Sequence, residues 1–488
     1  MHGAPVWQFR TSRGSDERAA IGRVPRVRHH ARMNLHRMLL QRAAEGRPVR
    51  VALIGAGKFG TMYLAQAKHT PGIHVVAIAD LAPARARASV ERAGWAAERL
   101  APRSLADAVK GGGTFVTDDA LAVIAAPAVD VVIDATGNPA AGIRHVLACC
   151  THGKHVVMVN VEADALAGPL LAQRARAAGI VYSLAYGDQP ALICEMVDWC
   201  RTAGFEVVAA GKGTKYLPEY HASTPATVWP HYGFTPEMVA AGDFNAQMFN
   251  SFLDGTKSAI EMAAVANAAG LTPAPDGLAF PPCGVDDLPR VLRPRDEGGH
   301  LHHAGQVEVI SSLERDGRPV FRDLRWGVYV TFRAGDAAGE DYVRRCFREY
   351  GFSTDPSGRT SAMYKPYHAI GLELGISVAS AGLRGEPTGQ AQAWHGDVVA
   401  TAKRDLAAGD TLDGEGGFTV YGKLMPAAAS RALRGLPLGL AHGVRLTRAI
   451  AANAPVRWDD VAYDAESEPV KFRREMEAAF GGGDGSGA

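Results

Sequence analysis

The segment from residue 49 to residue 80, VRVALIGAGKFGTMYLAQAKHTPGIHVVAIAD, constrains the fold more than any other part of the chain. A continuous apolar run, typical of a buried parallel strand, leads directly into Gly55-x-Gly57-x-x-Gly60, and a helical stretch follows. The next apolar run ends at Asp80, twenty residues after Gly60. A strand, a glycine turn, a helix and a second strand that ends in an acid form the complete fingerprint of a dinucleotide-binding unit.

Each glycine of this turn has a predicted role. Gly55 allows the tight turn, Gly57 lets the backbone approach a pyrophosphate, and Gly60 lets the helix pack closely on the strand. The first amides of the helix are expected to face the phosphates. The residues of this unit that we expect to contact the cofactor are Gly55, Ala56, Gly57, Lys58, Phe59, Gly60 and Asp80.

The choice between NAD and NADP stays open. Asp80 favours NAD, because its carboxylate would bond the ribose 2′-hydroxyl and repel a 2′-phosphate. Arg85 and Arg87 follow closely in LAPARARA and could bind a 2′-phosphate instead. The alternative for both arginines is a solvated helix face.

Further apolar runs predict a doubly wound parallel sheet of the α/β class. VDVVIDATGN (129–138), HVVMVN (155–160) and IVYSLAYG (180–187) alternate with helical segments. Ligands of such sheets bind at the carboxyl ends of the strands. We therefore expect contacts with cofactor or substrate from four further residues, which are Thr136, Gly137, Asn138 and Asn160.

Length and composition restrict the class of protein. A chain of 488 residues is too long for one ordinary core and predicts two or three domains. The net charge of +1 argues against non-specific nucleic-acid binding, and no apolar run is long enough to predict a membrane span. The six cysteines lack metal-binding spacing, so we expect reduced thiols in a cytoplasmic protein.

The stretch SFLDGTKSAIEM (251–262) predicts a helix with a lysine in its first turn. Asp254 is expected to cap this helix, and Lys257 follows it. A positive charge at a helix N-terminus is disfavoured by roughly 0.3–1 kcal/mol. The same position is useful for function, because an ammonium and free amides can converge on one anion. The alternative is a solvated lysine paired with Glu261, one turn further on.

A polar loop, Lys212-Gly213-Thr214-Lys215-Tyr216, follows a predicted helix and strand after residue 187. This loop and the Asp254–Lys257 segment resemble the homoserine dehydrogenase family. They resemble in particular a branch with a C-terminal extension that includes enzymes like 1-deoxy-D-xylulose 5-phosphate reductoisomerase. The resemblance covers about residues 48–465 and implies an α+β catalytic and oligomerisation domain after the first sheet. The catalytic residues that it implies are Lys257, Asp254, Lys215 and Lys212.

The resemblance also raises the question of a metal. Reductoisomerases of this type use a divalent cation, and carboxylate oxygens suit Mg²⁺ or Mn²⁺. NVEAD (160–164) offers Glu162 and Asp164 as ligands. Two acids that stabilise a helix N-terminus explain this pattern equally well. In the same branch, residues 364–377 are expected to return to the active site or to pack on the first sheet, and His368 is a candidate there.

The last third of the chain contains a further unit. Residues 398–427 and 435–462 resemble a SAF domain, a small β-clip module built from short strands and Gly/Asp turns. The expected division of the chain is a disordered or poorly ordered extension (1–47), a Rossmann domain (48–186), a substrate and catalytic domain (187–390), a SAF-like domain (391–468) and a tail (469–488).

The resemblance implies an NAD(P)-dependent oxidoreductase that acts on a CH–OH group of a small, polar, anionic hydroxy or oxo substrate. A homo-oligomer, in the simplest case a dimer, is expected. A reductoisomerase of isoprenoid synthesis, which needs the same dinucleotide and a metal, is one alternative. A nucleotide-binding regulatory protein without turnover is the other.

Overall fold

The computed structural model describes residues 34–242, 244–335 and 337–481. Within these ranges the chain forms a six-stranded parallel sheet, a four-stranded mixed sheet and two small antiparallel sheets near the C-terminus. This arrangement confirms the predicted fold class, a doubly wound sheet followed by an α+β domain and a small β unit. No helix of the described ranges is long and apolar enough to cross a bilayer.

The first sheet has the strand order β3-β2-β1-β4-β5-β6, and every neighbouring pair is parallel. This is the order of dinucleotide-binding sheets, in which the direction of strand addition reverses between β1 and β4. Its strands are β1 (Val49–Ile54), β2 (Ile73–Ala79), β3 (Phe115–Thr117), β4 (Val131–Asp134), β5 (His155–Met158) and β6 (Tyr182–Leu184). Its helices are α1 (Leu35–Ala44), α2 (Lys58–Ala67), α3 (Pro83–Arg92), α4 (Leu105–Gly111), α5 (Ala120–Ala125), α6 (Pro139–His152) and α7 (Val161–Ala177).

The second sheet has the order β10-β9-β7-β8, with β7 parallel to β8 and antiparallel to β9. Its strands are β7 (Phe205–Thr214), β8 (Gln306–Ser311), β9 (Val328–Ala334) and β10 (Thr360–Lys365). The helices of this part are α8 (Gln189–Thr202), α9 (Val228–Tyr232), α10 (Pro236–Ala241), α11 (Ala246–Leu253), α12 (Thr256–Ala269), α13 (Leu288–Val291), α14 (Ala337–Glu349) and α15 (Gly375–Ala379).

The C-terminal unit consists of a β11–β13 pair and a β12-β14-β15 sheet. Its elements are β11 (Gly396–Ala402), β12 (Thr411–Asp413), β13 (Val420–Pro426), α16 (Ala427–Leu433), β14 (His442–Leu446) and β15 (Val461–Ala462). Apolar residues of this unit share one continuous core with α8, α12 and the second sheet. Helix α12 therefore lies at the centre of the molecule, in contact with α7 of the first domain and with both strands of the β11–β13 pair.

Both chain ends differ from the expectation. Residues 35–44 form helix α1, whose Leu39 is buried, so disorder is wrong for this part of the expected 1–47 extension. The expected tail is largely a helix, α17 (Glu468–Phe480). Its Arg473 is almost fully buried and forms an ion pair with Asp397 at 2.7 Å, which ties the helix to β11. Residues 1–33 and 482–488 lie outside the described ranges.

Residues 366–384 connect the second domain back to the first. Leu374 and Val378 are fully buried in the core on one face of the six-stranded sheet, beside residues of β1 and β4. Because this segment begins next to β10 and ends on the first sheet, it crosses the boundary between the two domains. This position agrees with the expectation that residues 364–377 pack on the first sheet.

Candidate active site

The glycine turn after β1 is tightly packed against the backbone at Gly55 and Gly60, and it is open at Gly57. Gly55 has φ +93°, and a Cβ there would lie 2.7 Å from the carbonyl oxygen of Ala135. A Cβ on Gly60 would lie 2.4 Å from the carbonyl oxygen of Gly55. A Cβ on Gly57, by contrast, would meet no atom within 4 Å. The turn therefore requires Gly55 and Gly60 for its own packing, and it leaves space at Gly57 for a ligand.

Helix α2 begins at Lys58, and Gly57 is its N-cap without a side-chain hydrogen bond. The first amides of the helix thus keep their capacity to bind an anion. This free helix start beside an open glycine is the arrangement that a pyrophosphate needs. The residues of the turn fit a dinucleotide.

Asp80 lies directly after β2, as predicted, and its carboxylate shapes the turn. One oxygen accepts a hydrogen bond from the Ala56 amide at 2.8 Å, and the other accepts from the Ala82 amide at 2.9 Å. The guanidinium of Arg85 lies 3.5 Å from the same carboxylate and is largely exposed. Arg87 is engaged elsewhere, because it donates to the carbonyl of Leu100 at 2.6 Å. Of the two arginines, Arg85 is therefore the one available to a 2′-phosphate.

A buried network joins the loops after β4 and β5. The side-chain amide of Asn160 donates to Thr136 Oγ1 at 3.0 Å and to the carbonyl oxygen of Asn138 at 2.8 Å. Thr136 in turn donates to Asp134, a fully buried residue at the end of β4, at 2.7 Å. Asn160 is itself fully buried, so its side chain positions the Thr136–Asn138 loop. Gly137, with φ +63°, completes that loop.

The lysine in the first turn of α12 reaches the first domain. Lys257 Nζ forms an ion pair with Glu162, the second residue of α7 at the carboxyl end of β5. The two side chains are only 15% and 12% exposed. The alternative of a solvated lysine paired with Glu261 is wrong, because Lys257 is mostly buried and its partner comes from a different domain. The lysine therefore lies where the second domain meets the strand ends of the first sheet.

The capping of α12 differs by one position from the expectation. Gly255, with φ +87°, is the N-cap, and Asp254 ends the preceding helix α11. The Asp254 carboxylate still accepts from the first amide of α12, that of Thr256, at 2.9 Å. Its other oxygen forms a fully buried ion pair at 2.7 Å with Lys403, which follows β11. Asp254 therefore holds the start of the helix in place and has its ion pair with Lys403 rather than Lys257.

A second ion pair lies beside the first. Lys212, on β7, contacts Glu261 on α12, and both side chains are almost completely buried. Glu261 is one turn beyond Lys257 on α12, so both ion pairs involve the first two turns of this helix. Lys215, in contrast, points to the carbonyl oxygen of His231 and to the ring of Tyr232. Burial and the nearby Arg325 lower the pKa of Lys215. The structure thus groups Lys212 with Lys257 and gives Lys215 a separate environment.

Asp188 and Gln189 open helix α8 next to these pairs. Burial and the carboxylate of Glu261 raise the pKa of Asp188 to about 7. With its side-chain nitrogen facing the acids, Gln189 donates to Asp188 at 2.8 Å and to Glu261 at 3.3 Å. Its oxygen then lies 3.2 Å from His368 Nε2. A connected polar chain therefore runs from the buried ion pair to His368, on the segment that crosses between the domains.

The sequence analysis did not predict Asp188 and Gln189 as residues of the active site. Asp188 and Gln189 stand at the start of a predicted helix, and the position of Asp188 before Gln-Pro is a recognisable N-cap signal. No local pattern distinguishes an ordinary cap from one that lies against two ion pairs. Asp134 could have been found more easily, because it is the acid at the end of a predicted buried strand.

The site does not fit a divalent metal. Glu162 is engaged by Lys257, and Asp164 accepts from the hydroxyl of Tyr182 at 2.7 Å in the interior of the first domain. Burial raises the pKa of Asp164 to about 6. Among the described residues, no three His, Cys, Asp or Glu side chains converge as ligands of an ion. Glu162 and Asp164 have different partners, and the ammonium group of Lys257 occupies the position beside Glu162 that a metal ion would need.

Aromatic residues of the second domain cover the start of α2. Phe244 and Phe249 lie 6.0 Å and 5.9 Å from Lys58 Nζ, measured to their ring centroids. Both rings belong to a larger cluster with Trp229, Tyr232 and Phe234. Lys58 is the first residue of α2. The aromatic cluster therefore forms an apolar surface at the edge of the expected dinucleotide site. Phe59, the next residue, packs into the core of the first domain.

Three families match consecutive parts of the chain. Residues 49–158 match the oxidoreductase family with an NAD-binding Rossmann fold, residues 187–374 match the catalytic domain of oxidoreductase DRL, and residues 397–462 match the SAF domain. The chain has the domains of an NAD(P)-dependent oxidoreductase. The resemblance to an oxidoreductase with a C-terminal SAF domain is therefore confirmed, and the NAD(P)-binding Rossmann domain contains the glycine turn described above.

Individual relatives match smaller parts. A homoserine dehydrogenase of Methylobacillus glycogenes is 42% identical over 64 residues, which are 13% of this chain and 16% of that protein. Myo-inositol dehydrogenase of Lactobacillus casei, solved with NAD(H) and myo-inositol, is 20% identical over 36% of this chain and 50% of its own, with a TM-score of 0.26. A probable dehydrogenase of Thermotoga maritima is 14% identical over 66% of this chain and 69% of its own, with a TM-score of 0.28.

Proposed function

We propose that the protein transfers a hydride between NAD(P) and a small anionic hydroxy or oxo compound. The contact between Lys257 and Glu162 carries this proposal, because it brings a cation of the second domain to the strand ends of the cofactor-binding sheet. Ligands of doubly wound sheets bind at those strand ends. The substrate would occupy the space between the glycine turn and the two lysines, Lys212 and Lys257.

The chain's own residues have distinct tasks in this proposal. The bound dinucleotide supplies or accepts the hydride. Lys257 attracts the anionic substrate and stabilises negative charge on the reacting oxygen. Asp188, whose pKa of about 7 suits proton transfer near neutrality, exchanges the proton of that oxygen through the neighbouring polar chain. Gln189 orients Asp188 and connects it to His368.

A turnover assay tests the proposal. Wild-type protein is incubated with NADH or NADPH and a panel of small oxo acids, semialdehydes and pentulose phosphates, and the absorbance of the reduced nicotinamide is followed. We expect oxidation with at least one anionic oxo compound, including those of the homoserine dehydrogenase reaction type. If the dinucleotide binds but no compound of the panel is turned over, the oxidoreductase proposal fails and a regulatory nucleotide-binding role remains.

Chelation should leave the reaction unchanged. Because Glu162 and Asp164 have separate partners among the described residues, we expect that they do not bind Mg²⁺ or Mn²⁺ together. Exhaustive dialysis against EDTA is expected to change kcat and KM by less than twofold, and added Mn²⁺ should restore nothing. Loss of activity on chelation, with recovery on addition of Mg²⁺ or Mn²⁺, would contradict this reading of the site and support the reductoisomerase alternative.

A further inference from the structure

Two adjacent histidines lie in the loop before β8, outside the proposed active site. His302 and His303 belong to the stretch GGHLHHAG (298–305), and here we call them the histidine pair. Their rings stand at 79° to each other, and their Nδ1 atoms are 3.4 Å apart. Neighbouring side chains of an extended chain point to opposite sides. The conformation of the loop is therefore what brings these two nitrogens together.

The distance between the two nitrogens indicates what they can bind. It exceeds the roughly 2.7–3.2 Å of a typical hydrogen bond from a nitrogen donor. Two imidazoles on the same tetrahedral Zn²⁺, with Zn–N bonds of about 2.0–2.1 Å, have their nitrogens about 3.3–3.4 Å apart. The observed separation thus matches one edge of a coordination tetrahedron and is too long for a good hydrogen bond between the rings.

The second ring nitrogen of His303 has the kind of partner that a metal-bound histidine uses. His303 Nε2 lies 2.6 Å from the hydroxyl oxygen of Thr272, just beyond the C-terminus of α12. When Nε2 carries the proton and donates it to this hydroxyl, the lone pair of Nδ1 is free for a metal. Burial and the neighbouring His302 lower the pKa of His303, which favours the uncharged ring that a metal binds.

Main-chain contacts hold the loop in this position. The His302 amide donates to the side-chain oxygen of Gln306, a buried residue of β8, at 2.9 Å. The Thr272 amide donates to the Gly305 carbonyl oxygen at 3.0 Å, and the Val307 amide donates to the carbonyl oxygen of Thr272 at 3.1 Å. The two imidazoles therefore project from a backbone that is already fixed before a ligand binds.

We propose that the histidine pair binds one divalent transition metal ion, with Zn²⁺ as the reference, through its two Nδ1 atoms. Water completes the coordination, because among the described residues no third His, Cys, Asp or Glu side chain converges with them. Neutral imidazoles suit Zn²⁺, Ni²⁺ or Cu²⁺, whereas Mg²⁺ prefers oxygen ligands. This site goes beyond the proposed function and does not involve Glu162 or Asp164.

The position of the site predicts an effect on stability and none on turnover. Helix α12 has 14 residues and spans about 20 Å, with Lys257 near its start and Thr272 just beyond its end. A metal ion at the histidine pair fixes the loop against the end of α12, far from the reacting groups. Because the two nitrogens converge only in the folded protein, the ion should raise the melting temperature.

Calorimetry with ZnCl₂ tests the proposal. Full-length protein without an affinity tag is freed of metal with EDTA, dialysed, and titrated with Zn²⁺. We expect one equivalent per chain at micromolar affinity, no competition by millimolar Mg²⁺, and a melting temperature that Zn²⁺ raises by a few degrees. His302→Gln and His303→Gln should each weaken the binding of this equivalent by at least about tenfold and remove the effect on melting.

Further variants distinguish a built site from a chance pair of imidazoles. Thr272→Val removes the hydroxyl that orients His303 and should weaken Zn²⁺ binding roughly 10–100-fold, whereas Thr272→Ser should retain the wild-type affinity. The matched control is His29→Gln/His30→Gln, which changes the other pair of adjacent histidines in the sequence, outside the described residues. This control should retain the equivalent that the histidine pair binds.

Two results would overturn the inference at the histidine pair itself: no Zn²⁺ binding by the wild type, or loss of the equivalent in His29→Gln/His30→Gln rather than in His302→Gln. Wild-type affinity in Thr272→Val would also overturn it, because it would show an adventitious ion only. The measurement uses no substrate and no dinucleotide, so the proposed reaction is tested separately.

Discussion

Gly57→Val should abolish the binding of NAD and NADP while the protein remains folded. The glycine turn has space for a side chain at this position, since a Cβ would meet no atom within 4 Å. Its φ of −69° is also accessible to other residues. The valine would nevertheless fill the volume that the pyrophosphate needs. We expect no binding by fluorescence titration of the reduced dinucleotide, and a melting temperature within a few degrees of the wild type.

The matched control is Gly111→Val, at the end of α4 in the same domain. A Cβ there also meets nothing within 4 Å, but this position is outside the proposed site. The control should bind the dinucleotide as the wild type does. Gly60→Ala is the opposite case, because its Cβ would clash with the backbone of Gly55 and should destabilise the domain. Wild-type affinity in Gly57→Val would show that the cofactor lies elsewhere.

Lys257→Met should reduce kcat/KM by at least roughly a hundredfold, because general acid–base and electrostatic contributions of one group are typically 10²–10⁴-fold. Replacement of an exposed lysine would leave the free energy of unfolding nearly unchanged. Lys257 is instead mostly buried with Glu162, so the single variant leaves an unpaired carboxylate. Removal of one partner of a buried ion pair lowers the free energy of unfolding by about 3–5 kcal/mol. Because this pair is slightly exposed, we expect a loss at the low end of that range.

The double variant Lys257→Met/Glu162→Gln separates catalysis from stability. Removing both charges should recover most of the lost free energy of unfolding, since no unpaired charge stays in the site. Activity should remain as low as in the single variant. Lys257→Arg should restore little activity, because a planar guanidinium does not reproduce the contacts of an ammonium. If Lys257→Met turns over normally, the lysine is structural and Lys212 becomes the candidate.

The cofactor turn was predictable because its chemistry is local. Gly55, Gly57, Gly60 and Asp80 lie within one strand–helix–strand unit, and their spacing alone describes how the backbone approaches a phosphate. The ends of β4 and β5 were also predictable, since buried apolar runs end there in polar residues. In each case the sequence pattern and the structural contacts lie within one strand–helix–strand unit of the first sheet.

The contacts of the proposed catalytic site were not predictable in this way. Lys257 and Glu162 are 95 residues apart, and their pairing depends on how the two domains pack. Lys212 and Glu261 are 49 residues apart, and their pairing depends on how α12 packs against β7 within the second domain. Lys403, from the SAF unit, forms the buried ion pair with Asp254, and no spacing in the sequence links these two residues. The helix cap shifted by one residue because Gly255 adopts a left-handed conformation that spacing does not reveal.

The most direct test of the central claim is a crystal structure with NADP⁺ bound. We expect the adenine ribose to lie beside Asp80 and Arg85, with the pyrophosphate on the Gly57 turn. The nicotinamide ring should then lie beside the Lys257–Glu162 pair and Asp188, leaving a substrate position within about 3–3.5 Å of the hydride-bearing carbon. A nicotinamide ring bound away from Lys257, with no room for a substrate between them, would contradict the account.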